Sequence, residues 1–366
     1  MKKHIFACCA CFICVGVSLY AQYLDPDRGF DDASWYSLEQ AYDAFNDRDF
    51  GTAFRLVENA KEQWKEEKDW AVSTIDYALA QPGLLKAGDD MESVLNVLRE
   101  RNNVDAVRII ESKLIRFSFQ DFNYSITNFS AYIKNMAYPE ADFLLGKLYM
   151  IEGEYALSEE FYSSAYKNRK YLDIPDIQFD ILADMADLYR LTGDNERYES
   201  ALLLLASRDD RYKTDGVSSG FLKAVDSAVR RGMNADKLFL LYRNDNYHTL
   251  YVWFQLTAYY DSFDLNEKAF ETALLFCLTA LSRADNIIKS RNMDYTYTTV
   301  IDLLHKIQTY PDINEWAEKN KLWEGFYLLG KISKKLGHTA FASDIFKAVS
   351  QESPQRMWKV LAQKEL

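Results

Sequence analysis

The chain has 366 residues, 48% hydrophobic and 27% charged, enough to bury more than one core. Its 14 Gly and 6 Pro are too few for a turn-dense all-β protein. A net charge of −12 argues against nucleic-acid binding, which leans on clustered Lys and Arg.

Lys2, Lys3 and His4 open the chain, and an apolar stretch from Ile5 to Leu19 follows, too short for a comfortable membrane span. With Ala21 as the last residue before cleavage, 1–21 reads as a secretory signal peptide, although Leu19 stands where a small residue is preferred. Cys11-Phe12-Ile13-Cys14 is a poor lipobox. Cleavage would remove Cys8, Cys9, Cys11 and Cys14, and would leave 41 basic against 55 acidic residues, net −14. Cys277, in "ALLFCLTAL", would remain, and one cysteine forms no internal disulfide. Its apolar helical setting predicts a buried small hydrophobe. No later stretch is long and apolar enough to span a bilayer, so the expected mature protein is exported, periplasmic and soluble.

An acidic leader, 22–33, precedes a succession of helical signals. Periodicity and breakers predict helices at 34–47, 50–67, 69–80, 90–100, 103–117, 122–136, 139–151, 154–168, 176–191, 195–207, 217–231, 234–243, 247–261, 265–290, 294–309, 313–335, 338–351 and 354–364. "DFNYSITNF" at 121–129 is the main strand-like exception. The organisation expected is N-terminal helical repeats at 34–136, clearer repeats at 137–210, a helical region without readable repeat at 211–320, and a C-terminal repeat with a capping helix at 321–366.

"LLGKLYMIEGEYALSEEFYSSA" (144–165) and "LLGKISKKLGHTAFASDIFKAV" (328–349) share a motif 184 residues apart. In the first, Ala141, Leu145, Leu148 and Tyr149 mark one helix face, and Leu157, Phe161, Ser164 and Ala165 mark one on the next. Gly153 suits a left-handed helix end. Gly146 and Ser158 would allow close approach, with Tyr149, Tyr155 and Tyr162 filling the wider gaps. The segment resembles a tetratricopeptide repeat, a 34-residue helix-turn-helix unit, in Leu145, Gly146, Tyr149, Gly153, Tyr155, Tyr162 and Ala165. It departs at Ser158, where alanine is usual, and at Asp142, often Trp. The second copy fits at Phe326, Leu329, Gly330, Gly337, Ala342, Phe346 and Pro354 and departs at Ser333 and Val349. Weaker copies keep Leu182, Ala186, Tyr189 and Gly193 with Tyr198 at an alanine place, and Ala41, Phe50, Ala53 and Ala60 with Arg48 in place of the turn glycine.

Catalytic signatures are sparse. "GVSSG" (216–220) matches a nucleophile elbow with Ser218, but the polar "SRDDRYKTD" before it has no strand pattern, so a loop is expected. His248, His305 and His338 are not spaced for a metal, and "DDRYKTDG" lacks the order of an EF-hand. No dinucleotide or P-loop motif occurs, and no metal or cofactor is expected. Acid pairs such as Glu159-Glu160 are too common here to single out. The aromatic run 246–263 reads as core filler around Trp253, Leu256 and Tyr260, or else as a recognition surface.

The expected fold is all-α, an irregular solenoid of helical hairpins behind a signal peptide. The resemblance implies a non-enzymatic scaffold or adaptor that binds a partner protein on a concave face. It would serve envelope assembly or an accessory part of an envelope machine, such as a periplasmic flagellar structure. The acidic excess points to a partner with a basic surface. The alternatives are a small-ligand or glycan binder, or a hydrolase using Ser218.

Overall fold

The computed structural model describes residues 32–81, 90–118, 125–208 and 220–366. They are predominantly helical and contain no strand; Asp90 and Ser125 form an isolated antiparallel bridge. The expected signal peptide, residues 22–31, Pro82-Gly83 and Ser218 lie outside the described residues. No described helix is long and apolar enough to cross a membrane. The chain divides into two compact units, Met1–Gly193 and Asp194–Leu366.

In the first unit, α1 (Ser34–Asn46) and α2 (Phe50–Ala80) form a hairpin. The break expected near residue 68 is absent. Ala53, Val57, Ala60, Glu67, Ala71, Ile75 and Ala78 form one unbroken buried stripe along α2. Glu67 disguises the stripe in the sequence. Its carboxylate is buried and accepts both the Ser34 N–H (2.8 Å) and the Ser34 hydroxyl (2.9 Å).

The far half of α2 carries α3 (Met91–Glu100), α4 (Val104–Ser118) and α5 (Ile126–Lys134), whose apolar faces close over Ala71, Ile75 and Ala78. Helix α5 replaces the strand-like reading. Ser125 accepts the Asn128 N–H and starts a helix whose buried face is Ile126, Phe129, Ser130 and Ile133.

The chain then returns. Helices α6 (Pro139–Glu152) and α7 (Tyr155–Lys167) form a second hairpin, and α8 (Ile177–Thr192) packs against both. Ala141, Leu144, Leu145 and Leu148 of α6 meet Ala41, Ala53, Val57 and Ala60 of the first hairpin. The two hairpins are thus neighbours in space although α3–α5 separate them in sequence.

The second unit repeats this plan. Helix α9 (Asn195–Ala206) packs on α12 (Leu250–Ser262), which pairs with the long α13 (Asn266–Arg291). Helices α14 (Val300–Thr309) and α15 (Pro311–Lys319) lie on α13, and the hairpin of α16 (Leu322–Lys335) and α17 (Thr339–Glu352) stacks on it too. Helix α18 (Arg356–Glu365) packs on α17, and α10 (Gly220–Arg230) and α11 (Ala235–Leu241) complete the unit. Two sequence boundaries move. A Thr299–Asp302 capping box starts α14 at Val300 rather than 294. The helix expected over 313–335 breaks where Lys321 turns left-handed (φ +57°).

A shared turn explains the recurring spacings. Arg48, Asn102, Gly153, Asp264 and Gly337 all have positive φ, and each stands two residues before the next helix. The following N–H reaches back five residues: Asp49 to Ala44 O, Asn103 to Leu98 O, Glu154 to Tyr149 O, Leu265 to Tyr260 O, and His338 to Ser333 O, all at 2.8–3.0 Å. This is the Schellman closure of a helix end. Seven residues before and five after the turn residue stand Ala41 and Ala53, Gly146 and Ser158, Thr257 and Ala269, Gly330 and Ala342, all buried. Four hairpins thus cross at small residues in one register. At Asn102 those positions hold Leu95 and Val107.

The closest crossing in the first unit is Gly146. A Cβ there would lie 2.4 Å from the Tyr162 ring, and the Gly146 carbonyl accepts the Ser158 hydroxyl at 2.8 Å. Gly146→Leu is therefore expected to lower stability by about 1–3 kcal/mol, read by thermal unfolding. Two residues of this hairpin depart from their expected places. Tyr155 (40% exposed) and Leu157 (38%) face outward, because Ser158, Tyr162 and Ala165 set the buried face of α7 one residue later. Arg48 occupies a conformation that glycine takes without strain, so Arg48→Gly should raise the denaturation midpoint, by about 0.5 kcal/mol of stability.

Cys277 is fully buried in α13, and burial raises its thiol pKa well above the usual value. It should resist thiol reagents in the folded protein and react on unfolding; rapid labelling under native conditions would contradict this placement.

Candidate partner-binding face

The residues singled out by the repeat motif build hairpins. Leu145, Gly146, Tyr162 and Ala165 are buried in the first unit, as are Leu329, Gly330, Ala342 and Phe346 in the second. Tyr149 is half-buried between Phe54 and Phe161. Gly153 and Gly337 make turns, and Pro354 is exposed between α17 and α18. Asp142 is buried. It takes Lys61 of α2 at 2.9 Å and the Ser164 hydroxyl of α7 at 2.7 Å, tying three helices together.

Chemistry gathers on the face that α1, α6 and α8 share in the first unit. The Tyr42 hydroxyl of α1 donates to the Glu140 carbonyl at the start of α6 (3.4 Å). Burial, then the charges of Glu140, Asp184 and Asp180, hold its phenol well above the ordinary range. The charges of acidic residues on two helices therefore act on one phenol. Lys147, two turns along α6, pairs with Asp184 and lies 4.4 Å over the Phe143 ring. Burial raises the Asp184 carboxyl pKa, while Lys147 opposes the shift. Asp187, one turn further along α8, pairs with Arg190 (3.2 Å). Phe143 and Tyr162 pack beneath, ring centres 5.9 Å apart.

The surrounding charge is uneven. Residues 1–193 carry 20 Lys and Arg against 32 Asp and Glu, a net of −12, whereas residues 194–366 carry 23 against 23. The acidity of the whole chain thus resides in the unit that holds this face.

In the second unit, the matching face of α12 and α16 is balanced by ion pairs. Asp261 binds Lys331 (2.8 Å) and Lys335 (3.0 Å), and Lys335 also binds Asp264 (2.9 Å). The aromatic run divides. Trp253, Phe254, Leu256 and Tyr260 are core, whereas Tyr247, Tyr251 and Phe263 are exposed. His248 packs on Tyr247, His305 on Glu352 and His338 on Phe270. Among the described residues no cluster of His, Cys, Asp and Glu could hold a metal ion.

No spacing rule points to this face, because Tyr42 and Glu140 are 98 residues apart. They meet because the second hairpin returns to the first past α3–α5.

No protein-family model matches the chain. It is similar to an uncharacterised protein of Treponema pallidum (strain Nichols), 26% identical over 331 residues that cover 90% of this chain and 88% of that protein.

Proposed function

We propose that this chain is a non-enzymatic, exported scaffold or adaptor. It is a tetratricopeptide-like hairpin array that holds a partner protein with a basic surface on the α1–α6–α8 face. Its place would be envelope assembly or an accessory part of an envelope machine, such as a periplasmic flagellar structure. The hairpin reading draws support from the common register of four helix pairs. The partner reading rests on one observation: the charges of Glu140, Asp184 and Asp180 all act on Tyr42, in the unit that carries the net charge. A lysine or arginine offered there meets the acidic residues of α8, and the wider negative potential speeds its arrival.

The test places a photo-crosslinking residue at exposed position 180 on α8, or at exposed position 160 on α7, in living cells. A discrete protein adduct from 180 and none from 160 is expected. Equal adducts from both positions, or none, would remove this face as the binding surface.

A further inference from the structure

The second unit holds a cavity of about 570 Å³, lined by α10, the turn that follows it and α11. Its walls follow from the local sequence. Leu222, Val225 and Val229 turn one side of α10 into the core. Ser227 and Ala228 stand on the side that this stripe leaves free, and both are too small to fill the space beside them. Gly232 (φ +84°) then reverses the chain, with the Met233 N–H bonded to Ala228 O at 3.0 Å. Arg231 before the turn and Lys237 after it therefore line the same space. Tyr242, just past α11, adds an aromatic wall, its ring held edge-on by Phe221 at 6.1 Å.

Two cations line this space, and no acid does. Among the described residues neither Arg231 nor Lys237 has an ion-pair partner. The acids of the neighbouring elements are engaged elsewhere. Asp226 of α10 binds Arg230 (2.7 Å), Asp236 of α11 accepts the Val300 N–H of α14 (2.7 Å), and Asp344 of α17 accepts the Ala235 N–H (3.4 Å). Ser227 offers a hydroxyl. The Asn234 Oδ1 accepts the Lys237 N–H at 2.9 Å, which leaves its amide nitrogen to donate. The lining is thus a set of donors around two uncompensated positive charges, in a chain whose net charge is −12.

We propose that this cavity binds a small phosphomonoester. A phosphomonoester at neutral pH is close to a dianion, and two uncompensated cations match that charge. A guanidinium can take two of its oxygens in a fork, and an ammonium and a hydroxyl can take the third. A monocarboxylate would leave one cation unmatched. The volume falls in the range of small-molecule sites and exceeds what a bare phosphate needs, so the space beside Ala228 and Tyr242 is left for an organic body. The site lies in the other unit from the α1–α6–α8 face and stands or falls independently of the partner reading.

The experiment titrates phenyl phosphate into the full chain by calorimetry at low salt and pH 7.5. Phenyl sulfate, of the same shape but singly charged, is the comparison. Phenyl phosphate should bind, and more tightly than phenyl sulfate. Arg231→Gln and Lys237→Gln should each weaken it by about tenfold or more, the worth of a charge-assisted hydrogen bond. Lys223→Gln, at an exposed lysine of α10 outside the cavity, should change nothing. From pH 5 to 7.5 the affinity for phenyl phosphate should rise as the ligand gains its second charge near about pH 6, while that for phenyl sulfate stays level. No heat with millimolar phenyl phosphate, equal binding of phenyl sulfate, or an equal loss in Lys223→Gln overturns the assignment. Should either cavity variant lose helix content, NMR of the wild type decides: ligand-induced shifts at Ser227, Arg231 and Lys237 support the site, and shifts confined to other residues overturn it.

Discussion

Gly325→Leu is expected to destabilise the second unit by about 3 kcal/mol or more, the upper end of the usual cost of overpacking. Gly325 lies in the first turn of α16, buried against α13, and a Cβ there would come within 2.0 Å of the Phe276 ring. Phe276 is itself buried and meets Phe254 edge-on at 5.5 Å, so the ring has little freedom to withdraw. Gly330, further along the same helix, faces Phe346 at 2.8 Å, where the ring must also shift. Thermal unfolding of the variant is the measurement. A companion variant sharpens it: Gly325→Ala combined with Phe276→Leu should cost less than the two changes summed, with a coupling of about 1 kcal/mol. An unchanged melting temperature in Gly325→Leu, or strict additivity in the pair, would mean that α16 does not approach α13 here.

Gly325 also shows where sequence reading stops. The helical class and most helices are legible, because apolar spacing and breakers decide them locally. The hairpins centred on Gly153 and Gly337 are legible too, since glycine advertises the left-handed turn. The hairpin of α12 and α13 is hidden because Asp264 takes that conformation instead, and Thr257 stands where Gly146 and Gly330 stand elsewhere. Thr257 fits by turning its hydroxyl inward, to Trp253 O at 2.7 Å and the Thr272 hydroxyl at 3.1 Å. Counting from the turn residue recovers the register; counting from glycine does not. The 184-residue offset is not a multiple of the 34-residue repeat for the related reason that each unit interposes extra helices between its two hairpins. The α1–α6–α8 face is not legible in the sequence because its parts come from helices at residues 34–46, 139–152 and 177–192, and only the return of α6 onto the first hairpin joins them.

The second large effect expected is on association with a basic partner, for which a lysine-rich peptide is a usable probe. Asp43 and Asp180 are exposed residues of α1 and α8, and Asp180 is one of the charges acting on Tyr42. Reversing both to lysine removes about four units of negative charge from the exposed sides of α1 and α8 while leaving the buried stripes untouched. The association rate should fall by about tenfold or more at low salt, because complementary potential acts chiefly on encounter. Raising the salt should narrow the difference, since exposed charges are screened beyond about 8 Å at physiological ionic strength. The control is Asp294→Lys, an exposed acid in the charge-balanced second unit, which should leave the rate nearly unchanged. Circular dichroism must show the same helix content in all variants. If Asp294→Lys slows binding as much as the double reversal, the attraction belongs to net charge and not to the α1–α6–α8 face. If none of them matters at low salt, the electrostatic reading fails.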